Sequence, residues 1–84
     1  MRATLGAKAT MSKALEKLDA LGSRGSAAAI SLRFVPAGAQ RAEKAKYFLV
    51  LWDRGPKYGM PPVTEAMREA LREVLRENEA LHAG

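Results

Sequence analysis

The chain has 84 residues, no Cys, a single His, 14 Lys and Arg against nine Asp and Glu, and a formal net charge of +5. A chain of this length holds one domain, here residues 1–84, and no second core. The absence of Cys excludes disulfide and thiolate chemistry, and one His without Cys excludes a structural zinc site.

The hydrophobic share of 48% overstates the core, because sixteen of those residues are Ala. So short a chain buries only about 60% of its unfolded surface and gains from oligomerisation. A homodimer is therefore one expectation. The longest mostly apolar run, Tyr47 to Trp52, is far short of the roughly 20 residues that span a bilayer. The first residues lack the apolar stretch of a signal peptide. These features suggest a soluble, cytoplasmic protein with no membrane partner. The charge is uneven. Residues 1–26 carry +3, residues 27–60 carry +4 and residues 61–84 carry −2. A basic middle is the footprint of a polyanion binder, and it also serves solubility.

In chain order, residues 1–9 show no period and read as a frayed, disordered terminus or as an extra helical turn. Residues 11–21 place Met11, Ala14, Leu15, Leu18 and Leu21 at helical spacing, with Thr10 or Ser12 as cap and Gly22 as stop. Gly22-Ser23-Arg24-Gly25 has the bare GxxG spacing that some nucleic-acid modules use to clamp a backbone. A helix stop followed by a turn over 22–26 explains the same four residues.

Residues 28–35 alternate, with Ile30, Leu32 and Phe34 to one side and Ser31 and Arg33 to the other, which predicts a half-buried strand ended by Pro36. Residues 36–45 read as a loop too long for a tight hairpin. Residues 46–53 are apolar on both faces and predict a strand buried on both sides. Residues 54–62, with three Pro and two Gly, read as a second loop. Residues 63–82 predict the longest helix. Val63, Met67, Leu71, Val74, Asn78 and Leu81 form its stripe, and Glu65–Arg68, Glu69–Arg72 and Glu73–Arg76 can pair along its flank. Pro62 suits its first turn, and Thr64 is the alternative cap.

These elements add up to an α+β domain ordered helix, strand, strand, helix. The antiparallel pair is packed by the helices, and dimerisation completes the sheet. The expected core is Leu15, Leu18, Ile30, Leu32, Phe34, Phe48, Val50, Leu51, Trp52, Met67, Leu71 and Val74. Asn78, a polar residue inside an apolar stripe, is a candidate for fixing helix register.

No nucleophile has an activating base nearby in sequence, so no enzyme activity, cofactor or metal is expected. The leading expectation is a basic module that binds nucleic acid or a nucleoprotein. Arg33, Arg41, Lys44, Lys46, Arg54 and Lys57 would contact phosphate, with Tyr58 as a stacking aromatic. The alternative is a small protein-binding regulator or inhibitor. It would dock on a larger machine through the 54–62 loop, the second strand or the C-terminal helix. Trp52 belongs to the core on this reading, and becomes the first interface anchor if it is exposed.

Overall fold

The computed structural model describes residues 12–54 and 62–83. The expectations for residues 1–9, for Met11, and for Lys57 and Tyr58 in the second loop lie outside the described residues. Four helices make up the described chain: α1 (Lys13–Ala20), α2 (Ser23–Arg33), α3 (Ala39–Asp53) and α4 (Glu65–Ala83). No strand occurs among the described residues.

The α+β architecture is thereby overturned, and with it the sheet that a second copy would complete. The expected strand 28–35 lies mostly in α2, the loop 36–45 is a turn that passes into α3 at Ala39, and the expected strand 46–53 is the rest of α3. The physical reason is alanine. At helical period, Gly25, Ala28, Ala29 and Leu32 form one buried stripe on α2, and Ala42, Ala45 and Trp52 form another on α3. Ala is the best helix former and contributes a small, easily buried side chain. The alternation of Ile30, Leu32 and Phe34 places only Leu32 inside; Ile30 is 47% and Phe34 76% exposed. The run 46–53, apolar on both faces of a strand, divides differently around a helix. Trp52 points in, Phe48 and Leu51 lie at the boundary, and Tyr47 and Val50 point out.

The two outer helices follow their sequence signals. The Ser12 side chain accepts a hydrogen bond from the Leu15 amide at 3.2 Å and caps α1. Thr64 Oγ1 accepts from the Met67 amide at 3.2 Å, so α4 starts at the later of its two candidate positions. Leu15, Leu18, Met67, Leu71 and Val74 meet in the core, with Leu32 and Trp52 from the middle helices. Ion pairs join Glu65 to Arg68 and Glu69 to Arg72 along α4. Glu73 reaches across to Lys17 of α1 at 3.1 Å.

The helices are unevenly packed. α1 lies against α2 and α4, and α4 lies against α1 and α3. By contrast α2 and α3, although consecutive, touch only sparsely. α1 and α2 approach closely at Gly25. A Cβ there would stand 2.9 Å from the Leu18 carbonyl oxygen and 3.3 Å from Met67 Cγ. The second glycine of the GxxG segment is therefore buried inside a helix contact.

Gly25→Ala tests this approach. In an open helix the change gains about 1 kcal/mol. Here the added methyl meets backbone, and overpacking of this kind costs about 1–3 kcal/mol. The urea midpoint should fall; a raised midpoint would show that α1 and α2 separate freely.

Candidate functional site

Two buried polar side chains fix the turn between α2 and α3. Val35 donates its amide to the Leu32 carbonyl at 3.0 Å, continuing the last turn of α2. Its own carbonyl accepts from Arg41 Nε at 3.1 Å and Nη2 at 2.9 Å. Arg41 returns from the first turn of α3 and is only 2% exposed. Burial lowers its pKa from the ordinary arginine value, and the negative charge of Glu77 acts in the opposite direction. Gly38 has φ +109°, a region that favours glycine, and directly precedes α3. Its amide donates to Asn78 Oδ1 at 2.9 Å. Asn78 Nδ2 donates in turn to the Val74 carbonyl at 2.8 Å. Asn78 therefore ties α4 to the start of α3 within one chain.

The described members of the expected phosphate-binding set, Arg33, Arg41, Lys44, Lys46 and Arg54, do not gather into one patch. Arg41 is internal. Arg33 ends α2 with its guanidinium 5.5 Å from the centre of the Phe34 ring. Lys44 Nζ stands 5.9 Å from the ring centres of both Tyr47 and Phe48. Lys46 is exposed, but two steps along a helix turn it about 200° away from Lys44. Arg54 is exposed at the C-cap of α3. Of the described cations that the sequence had placed on strands and loops, Arg33 ends α2, and Arg41, Lys44, Lys46 and Arg54 are spread along α3 and its C-cap.

The same geometry opens a seam between α2 and α3. Arg24, Ala27 and Ala28 line one wall, and Phe48, Leu51 and Trp52 line the other, around a volume of about 210 Å³. The Phe48 and Trp52 rings lie 6.4 Å apart, and Tyr47 meets Phe48 edge-on at 5.8 Å. Outside the seam, Ile30 and Phe34 project from α2, and Tyr47 and Val50 from α3. Ile30, Phe34 and Val50 had been assigned to the core. A second, shallower depression runs over Glu43, Lys46, Tyr47 and Val50 on the outer side of α3.

The face therefore offers apolar contact area, exposed aromatic edges and cations held near aromatic rings. Among the described residues, no group of three His, Cys, Asp or Glu could hold a metal ion, and no helix is long and apolar enough to cross a membrane. Comparison with protein-family models, with curated proteins and with solved structures finds no match to this chain.

The polar pins of the turn should matter more to stability than the exposed cations. Asn78→Ala leaves the buried Gly38 amide without its acceptor, which costs about 1–3 kcal/mol. Lys46→Ala should stay within about 0.5 kcal/mol. Thermal denaturation of the two variants compares them directly, and equal shifts would contradict the assignment of Asn78 as a pin.

Proposed function

We propose that this chain is a non-enzymatic protein-docking module that presents the outer face of α2 and α3 to a larger partner. One observation carries the reading. Ile30, Phe34, Tyr47 and Val50 are 47%, 76%, 57% and 55% exposed on two neighbouring helices. Single exposed apolar residues are ordinary on protein surfaces. Here they come in pairs at one-turn spacing, Ile30 with Phe34 and Tyr47 with Val50, on two consecutive helices, and grouped exposure of this kind marks interaction sites. Tyr47 is also of the residue type enriched among interface hot spots. The apolar stripe of α4, another candidate docking element, is occupied within the chain from Met67 to Asn78.

A second reading keeps the nucleic-acid expectation, favoured by the cations beside exposed rings at Arg33–Phe34 and Lys44–Tyr47. Bases can stack on such rings while the cations meet phosphate. Its support is thinner than the sequence suggested, because Arg41 is internal and Lys44 and Lys46 diverge. Exposed aliphatic residues such as Ile30 and Val50 suit a protein partner better than a phosphate backbone.

Site-specific photo-cross-linking separates the two. A photoreactive residue at Val50 should give a discrete protein adduct in a native cell extract, competed away by the unlabelled chain. The same probe at Glu79 on α4 should not. Equal adducts at both positions would contradict the assignment of the face. An adduct to nucleic acid would transfer the conclusion to the second reading, and its affinity should then fall along a log–log salt plot by about 0.7–0.9 per phosphate contacted.

A further inference from the structure

We propose that the outer stripe of α3 pairs antiparallel with the same stripe of a second copy of this chain. Tyr47 packs against Val50 of that copy, and Glu43 stands against its Arg54. This goes beyond the docking reading: the α3 half of the face is taken by a second copy, and Ile30 and Phe34 of α2 are left for the larger partner. Position is the first argument. At 3.6 residues per turn, Glu43, Tyr47, Val50 and Arg54 fall within about 60° of one another around the helix. All four are exposed, and Arg54 keeps a helical backbone at the C-cap. Ala42, Ala45 and Trp52 face inward from the same helix. Lys46 and Asp53, also exposed, flank the stripe on one side. A depression of about 450 Å³ over Glu43, Lys46, Tyr47 and Val50 can seat the tyrosine ring of the second copy.

Order and charge select the occupant. The stripe steps by four, three and four residues, the spacing of a helix-pairing seam. An acid stands at one end, a base at the other, and the large apolar pair lies between them. Such an order is the complement of its own reversal. With Tyr47 opposite Val50 of the second copy, Glu43 meets Arg54 at both ends of the seam, and Lys46 meets Asp53 along the flank. A two-fold axis makes each contact twice and closes the pair. A parallel arrangement would set Glu43 on Glu43, Lys46 on Lys46 and Arg54 on Arg54, and like charges brought together disfavour it. The charges of the stripe are not spent within the fold. Ion pairs among the described residues join Lys17 to Glu73, and Arg68 and Arg72 to Glu65 and Glu69; of stripe and flank only Asp53 takes part, 3.9 Å from Arg68 Nε. The chain as a whole is basic at +5, yet stripe and flank together carry two acids and two bases. A balanced stripe of this order fits a copy of itself better than a polyanion.

Sedimentation equilibrium of the purified full chain tests the pairing. The wild-type chain should approach twice its monomer mass as concentration rises. Glu43→Arg and Arg54→Glu, each alone, set like charges at both ends of the seam and should weaken association about tenfold. Mixed one to one, the two variants bring opposite charges together again, and association should return to within about threefold of wild type. Both positions are exposed, so circular dichroism should not change. The chain has no Cys, so engineered disulfides read the direction of pairing. In an oxidised mixture, Glu43→Cys chains should link to Arg54→Cys chains, and neither should link to itself. These chains carry no reversed charge and decide the question on their own if a reversal disturbs folding. A wild-type chain still monomeric at about 1 mM would overturn the proposal. So would charge variants that associate as tightly as wild type, a mixture no tighter than its components, or Cys chains that link to themselves. If the purified chain stays monomeric while the probe at Val50 captures a different protein, docking stands and the pairing falls. If the chain pairs and the Val50 adduct holds only two copies of it, the pairing stands, and a probe at Phe34 that captures nothing then ends the docking reading.

Discussion

The hydrogen bond from the Gly38 amide to Asn78 Oδ1 is the constraint from which the arrangement of the middle helices follows. The first amides of a helix have no partner inside it, and a buried one left alone is costly. Asn78 supplies that partner from α4, so α3 can begin only where its first turn meets that side chain. Arg41 then turns back and satisfies the Val35 carbonyl at the end of α2. The hairpin is thus fixed at its turn by polar groups rather than along its length by side chains. That is how two consecutive helices can hold a definite relation and still leave a seam between them.

The core follows a second constraint, that of a short chain with few large apolar residues. Its interior is built largely from Ala14, Ala28, Ala29, Ala42, Ala45 and Ala70, with Gly25 where α1 and α2 approach closely. Small side chains let helices approach closely, so a modest set of Leu, Met, Val and Trp closes the centre. Larger apolar groups are left over, and α2 and α3 carry them outward as Ile30, Phe34, Tyr47 and Val50. These outward groups are the ones on which the proposed docking reading rests.

The outer helices were legible in the sequence because their signals are strong and local. Large apolar residues recur at helical spacing in α1 and α4, and Ser12 and Thr64 mark the starts. Trp52 was legible as a core residue for the same reason that it is bulky and apolar. The middle helices were not legible. Discounting Ala as core material erased the stripes Gly25–Ala28–Ala29–Leu32 and Ala42–Ala45–Trp52. What remained visible was the alternation around Ile30–Phe34 and the apolar run at 46–53, both of which imitate strands. Placing those residues on a sheet also misdirected the site. Arg41 read as a loop cation because nothing local reveals that Val35 needs its guanidinium. Asn78 did stand out, as a polar residue in an apolar stripe, but its partner lies forty residues away in the turn.

Amide hydrogen exchange at Gly38 tests the pinned turn most directly. An amide in a connecting turn ordinarily exchanges quickly through local opening. Here it is buried and donated to a side chain of α4, so it should exchange as slowly as core amides of α4 such as that of Leu71, and should lose that protection in Asn78→Ala. Exchange of the Gly38 amide at the rate of an open loop in the wild-type chain would contradict the account, and would remove the fixed hairpin on which the seam depends.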